Sequence, residues 1–102
     1  MMDSVGKTMF FLDEMAVGYY VRDTILILSA RELNEKYRIV FPFNILLCTH
    51  PYDGRLLYVV ATNRPKELVA WSIPRNCALS HISFETPIQS IQMSGIYLCI
   101  KS

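Results

Sequence analysis

The chain has 102 residues, 52% of them apolar and 19% charged, with a formal net charge of +1. That length suits one domain built on one core, and the apolar share is too high for a disordered segment. Ten Lys and Arg scattered singly along a nearly neutral chain offer no footprint for nucleic acid.

From the amino terminus, the first apolar run is Met9–Leu12, closed by Asp13 and Glu14 and shorter than the core of a signal peptide. The longest run, Leu56–Ala61, is too short to span a bilayer. Cys48, Cys77 and Cys99 are odd in number and widely spaced, so they read as reduced thiols rather than a secreted disulfide framework. The expectation is a cytoplasmic protein, soluble or peripheral to endomembranes. Apolar runs rich in Ile, Val, Leu, Tyr and Phe recur between short breaks, as strands do. They predict strands at 8–12, 15–20, 24–29, 36–41, 44–49, 56–61, 67–73, 78–84, 87–93 and 96–101.

The breaks have mechanisms. Pro51-Tyr52-Asp53-Gly54 is a proline-led turn ending in glycine. Asn63–Lys66 and Pro74–Asn76 place a proline where no ladder donor is needed, and Ser94-Gly95 closes the last hairpin. Arg31–Lys36 has helical propensity and is expected to form one helical turn. The other connections are too short for parallel crossovers, so the class is all-β with antiparallel neighbours.

Thr24–Phe41 and Glu67–Phe84 lie 43 residues apart. Aligned without gaps, Leu68 falls on Ile25, Trp71 on Leu28, Ser72 on Ser29, Ile82 on Ile39 and Phe84 on Phe41. This offset lies within the period of roughly 40–45 residues of four-stranded propeller blades. Grouped by fours, the strands make a first blade at 8–41, a second at 44–84 and half of a third at 87–101, within one domain spanning 1–102. In both complete blades the third strand ends alike, Ile25-Leu26-Ile27-Leu28-Ser29 and Leu68-Val69-Ala70-Trp71-Ser72. This resembles the third strand of a WD40 blade, where alternating apolar residues end in Trp-Asp. Serine replaces Asp both times and no Gly-His dipeptide occurs. The Asp–His–Ser/Thr network of strict WD repeats is therefore not expected.

A narrower resemblance is to the PROPPIN family, seven-bladed propellers that bind phosphoinositides. It rests on Met15–Gly18 followed by Thr24–Ser29, on residues 59–73 with Pro65 and Trp71, and on Ile82–Met93. It implies a relation to the propellers of autophagy and endosomal membranes. That family grips head groups through a Leu/Phe-Arg-Arg-Gly motif in a later blade, and no Arg-Arg pair occurs in this sequence. The resemblance thus implies phosphoinositide binding for a full-length relative, not by residues present here.

Cys48, His50, Cys77, His81 and Cys99 are the candidate metal ligands, but no tight Cys-x-x-Cys or His-x-x-x-His pair brings them together. Cysteines acting as small hydrophobes are expected instead, with no metal and no cofactor. His50 and Asp53 suggest a loop hydrogen bond rather than an acid–base pair. Neither a nucleophile elbow nor a Gly-x-Gly-x-x-Gly loop is present, so catalysis is not expected. Trp71 is expected in core or inter-blade packing. Tyr19, Tyr20, Tyr52, Arg64 and Lys66 lie near turns and are the candidates for an exposed interaction surface. Arg55 and Arg75 could extend it to a basic rim, although scattered charges ordinarily make a solvated face.

Propellers protect their edges by closing a ring of typically four to eight blades, and two and a half blades cannot. A protein partner, remaining propeller blades or self-association is expected to cover the open faces, with poor solubility for the isolated chain. The expected function is a non-catalytic interaction scaffold. The alternative is a small self-contained β-sandwich or barrel that binds a protein partner.

Overall fold

Successive side chains of a strand point to opposite faces, so a strand apolar at every position can serve two cores at once. The middle of this chain is built that way. The computed structural model describes residues 9–13 by their backbone and residues 16–50 and 55–102 in full. The described residues form three antiparallel sheets. The first runs in chain order through β1 (Met9–Asp13), β2 (Ala16–Val21), β3 (Thr24–Ser29) and β4 (Glu35–Val40). The second contains β5 (Ile45–Thr49), β6 (Leu56–Ala61), β7 (Glu67–Ser72) and β8 (Cys77–Ser83). The third has two strands, β9 (Ser90–Ser94) and β10 (Tyr97–Lys101).

β2 approaches β5 and β5 approaches β9, so the sheets stand side by side. The body measures 42 × 38 × 24 Å. Among the described residues no helix is long and apolar enough to cross a membrane.

The helical turn expected at 31–36 does not form. β3 and β4 stay paired as far as Leu28 and Glu35, which leaves too few residues for a helix. The chain reverses in a turn with Leu33 at φ 57°. Ser29 closes it, its carbonyl accepting from the Leu33 N–H at 2.7 Å and its N–H donating to the Asn34 carbonyl at 2.9 Å. β9 starts at Ser90 rather than 87. Pro87 has no N–H to give, and the Ile88 N–H donates to the Pro65 carbonyl at 2.8 Å instead of to a β-ladder.

The 43-residue period reappears in the backbone. Phe41 N–H donates to the Asp23 carbonyl at 2.7 Å, and Phe84 N–H to the Lys66 carbonyl at 2.8 Å. Ile45 N–H donates to Arg22 at 2.6 Å as Ile88 N–H does to Pro65. The pairing slips register between Ile27 and Leu28 in β3, and between Ala70 and Trp71 in β7. Leu33 and Asn76 take left-handed φ values of 57° and 53° at equivalent positions.

Two cores follow. The first lies between the first and second sheets and holds Ile25, Ile27, Ile39 and Phe41 against Leu57, Val59 and Trp71. The second joins Val60 and Leu68 to Ile88, with Tyr58, Ile91 and Leu98 packed around them. In β6 the alternation is visible residue by residue, Leu57 and Val59 entering the first core and Tyr58 and Val60 the second. Full burial of each such aliphatic side chain contributes about 1.5–3 kcal/mol, so the second sheet is held from both sides.

Candidate interaction surface

One end of the sheets gathers three connections: the Arg22-Asp23 turn, the Pro42–Asn44 link and the Thr62–Lys66 loop. They are tied to one another through the backbone. Besides the bonds to Arg22 and Asp23, the Asn44 carbonyl accepts from the Thr62 N–H at 2.9 Å. A cavity of about 270 Å³ opens between the link and the loop, lined by Pro42, Phe43, Asn63, Arg64, Glu67 and Val69. Arg64 is exposed and lies 3.6 Å from the Glu67 carboxylate. At that exposure the pair is worth about 0–1 kcal/mol, so the guanidinium remains available to a partner. Lys66 is exposed on the same loop, while its carbonyl is held by Phe84. The arrangement offers donors and acceptors on a fixed frame beside an apolar floor.

The other expected surface residues separate. Tyr20 is 2% exposed and packs in the first core with Ile25, so its ring is not part of an exposed surface. A one-residue step in a strand reverses the face, and Tyr19 is half-buried on the outer side of the first sheet, in register with Leu26. Tyr52 and Asp53 lie outside the described residues. Arg55 and Arg75 stand at the end of the second sheet opposite Arg64 and Lys66, since Arg55 precedes β6 and its carbonyl accepts from Ile73 at 2.9 Å. These four cations therefore do not make one rim.

Trp71 is 6% exposed in the first core. Its ring centroid lies 4.6 Å from that of Phe41 at an interplanar angle of 49°, and it meets Phe43 edge-on at 6.2 Å. The inter-blade packing read from the strand pattern is what the structure shows. The indole Nε1 is buried without a hydrogen-bond partner, at a cost of about 1–3 kcal/mol. The serines in place of the WD aspartate have a local task. Ser29 Oγ accepts from the Glu32 N–H at 3.3 Å, and Ser72 Oγ accepts from the Arg75 N–H at 3.2 Å. Each closes the turn that follows its strand. That pairing was readable in the ungapped alignment of Ser72 on Ser29.

Among the described residues no three His, Cys, Asp or Glu side chains converge as metal ligands would. Cys48 is buried, and burial pushes its thiol far above its ordinary pKa, which keeps it protonated and unreactive. Cys77 on β8 and Cys99 on β10 are exposed.

Solved structures share this geometry. The β-propeller domain of Cps50 (Swd1) from Myceliophteria thermophila superposes with a TM-score of 0.60 at 13% identity, over 89% of this chain and 29% of that one. U3-55K and the WD40 repeats of RRP9 each superpose with a TM-score of 0.65 at 13% identity over 93% of this chain, and over 32% and 31% of theirs. The fold is that of a WD40 propeller. The chain supplies two complete blades and the first half of a third, and spans about a third of the length of the structures it matches. No family model matches the sequence, and no curated protein matches it either.

The two outward-facing sides of the sheets differ. The outer side of the first blade is apolar, with Val17, Tyr19, Val21, Leu26 and Leu28 on the face opposite Tyr20, Ile25 and Ile27. The free side of the half blade is polar: Ser94 pairs Tyr97, Gln92 pairs Cys99 and Ser90 pairs Lys101, all exposed. Sequence reasoning, which expected open faces to be covered without telling the two apart, missed that difference. The period-2 pattern of residues 90–101 carried the signal.

Proposed function

We propose that the chain is a non-catalytic scaffold that binds a protein partner through the loop end carrying Asp23, Asn44, Asn63, Arg64 and Lys66. The observation that carries this is the set of backbone bonds from Phe41, Ile45 and Thr62, which hold three loops in one arrangement while Asn44, Asn63, Arg64 and Lys66 stay exposed. Binding residues gain most when rigid elements hold them in place. Affinity capture with the wild-type chain is expected to retain one stoichiometric protein that the Arg64→Glu/Lys66→Glu double variant loses. Equal retention by both would defeat the assignment to this face.

The narrower reading attaches this scaffold to the phosphoinositide-binding propellers of autophagy and endosomal membranes, in the cytoplasm and at the membrane periphery. It is supported by the sequence patterns at 15–29, 59–73 and 82–93 alone. With no Arg-Arg pair, the chain is expected to stay in the soluble fraction in flotation with vesicles containing phosphatidylinositol 3-phosphate. Co-flotation at physiological salt would place lipid contact in residues of this chain and overturn the protein-only reading.

A further inference from the structure

The loop end holds a second cavity, of about 480 Å³, adjoining the first and sharing Pro42, Phe43 and Asn63 with it. Asp23, Asn44 and Thr62 complete the parts that matter for its chemistry. Its frame is fixed through the backbone. The Asp23 carbonyl accepts from the Phe41 N–H at 2.7 Å, and the Asn44 carbonyl from the Thr62 N–H at 2.9 Å. The Phe43 ring is held by Phe41 and Trp71, with centroids 5.4 and 6.2 Å away, yet it is only half-buried.

Charge decides what such a cavity takes. Among the described residues, Asp23 is the one ionisable residue that lines it. Asp23 Oδ1 accepts from Thr24 Oγ1 at 2.9 Å, and no described cation lies within ion-pair distance of the carboxylate. Arg22 and Arg38 line a separate hollow with Leu26 that meets the cavity only at Asp23, and Arg64 lies against Glu67. The side-chain carbonyls of Asn44 and Asn63 and the Thr62 hydroxyl add neutral acceptors, and an aromatic face attracts a cation. An anion would meet a carboxylate and no counter-charge. Lysine brings three donors on a point charge, whereas the planar arginine fork presents five in fixed directions to several acceptors.

The combination is particular to the first seam. Forty-three residues on, the equivalents of Asp23, Phe43 and Asn44 are Lys66, Thr86 and Pro87. The second seam therefore has neither the carboxylate nor the ring.

We propose that this cavity receives an arginine side chain of the protein partner, its guanidinium donating to the Asp23 carboxylate and to the side-chain carbonyls of Asn44 and Asn63 along the Phe43 ring. The adjoining cavity, floored by Phe43 and Val69, takes an apolar side chain near that arginine. The occupant is thus a polypeptide rather than a free guanidinium compound. This rests on the scaffold reading and names the partner chemistry for its loop end.

The test titrates the blocked peptide acetyl-Gly-Arg-Gly-Leu-Gly-amide into the isotope-labelled full chain and follows amide NMR signals. Saturable shifts are expected at Asp23, Asn44 and Thr62, and none at Arg75 on the opposite end. Replacing the peptide's arginine by citrulline, its neutral isostere, is expected to weaken binding about tenfold. Asp23→Asn, which keeps an acceptor for Thr24, is expected to do the same. Replacing the peptide's leucine by glycine is expected to weaken it about threefold. Asn44→Asp adds a second carboxylate and is expected to tighten binding about threefold, a gain that a damaged fold cannot produce. Absence of saturable shifts, or equal binding of the citrulline peptide, overturns the proposal. Tighter binding of free arginine overturns it in favour of a small guanidinium ligand. Tighter binding of acetyl-Gly-Asp-Gly-Leu-Gly-amide overturns it in favour of an acidic partner segment. Capture with the Arg64→Glu/Lys66→Glu variant reports on the face and not on this cavity, so the two readings fail separately.

Discussion

The seam between the first and second blades and the seam between the second and third begin from equivalent residues and end in different states. Ile39 and Ile82 stand 43 residues apart at the same place in the outermost strand of their blades, 6% and 55% exposed respectively. Phe41 is buried and Phe84 only half-buried. Neither strand is more apolar than its counterpart in a way that explains this. The first seam is closed because β7 lays Val69 and Trp71 across it, and the second is closed only as far as β10 reaches. An apolar residue in a propeller blade is buried by the blade opposite, not by its own strand.

The largest effect expected from breaking this comparison is at Trp71. Trp71→Ala removes the ring that bridges the first seam and is expected to cost about 3–5 kcal/mol, read as a lower urea midpoint by far-ultraviolet circular dichroism. Trp71→Phe keeps an aromatic ring and removes the unpaired indole N–H, so it is expected to cost much less. The paired substitutions Ile39→Ala and Ile82→Ala sharpen the contrast directly. The first is expected to cost about 2–5 kcal/mol, the second less than about 0.5 kcal/mol. Equal losses would mean that the second seam is closed in solution.

Smaller effects come from the turns that repeat between blades. Leu33 holds a left-handed φ of 57° and is 63% exposed, so Leu33→Gly gives up little packing. It is expected to raise stability by about 1 kcal/mol. The same change at Asn76 is expected to do less, because Asn tolerates that conformation. Ser72→Ala and Ser29→Ala remove the acceptors for Arg75 and Glu32 and are each expected to cost about 0.5–1.5 kcal/mol. The smallest effect is electrostatic. The exposed Glu35 accepts two bonds from Arg38, at 2.7 and 2.9 Å, and chiefly these hold its carboxyl below the usual pKa. A lowered pKa means a contribution complete above the ordinary carboxylate value and lost as pH falls through the folded value. Glu35→Gln is expected to flatten that acid limb slightly in pH-dependent melting, with added salt mimicking the change.

Much of the fold was legible because its signals are local. The strands at 24–29 and 56–61 follow from alternation and turn residues alone. The helical turn at 31–36 misled because Arg, Glu, Leu and Lys carry helix propensity that the pairing of Leu28 with Glu35 overrides. The surface was less legible. Tyr19 and Tyr20 look identical in sequence, and only the register of β2 on β3 sends one to the core and the other outward. Arg64 and Arg55 look like members of one rim until the strand between them puts them at opposite ends.

The sequence by itself determined the all-β class, the strand positions and the repeat, since alternation, proline placement and a constant offset are properties of neighbouring residues. Tertiary structure decided which members of the repeat are covered. Ile39 and Ile82 share a pattern, and what separates them among the described residues is that β7 packs into the core that holds Ile39. Burial is a property of two surfaces, and one strand's residues specify only its own.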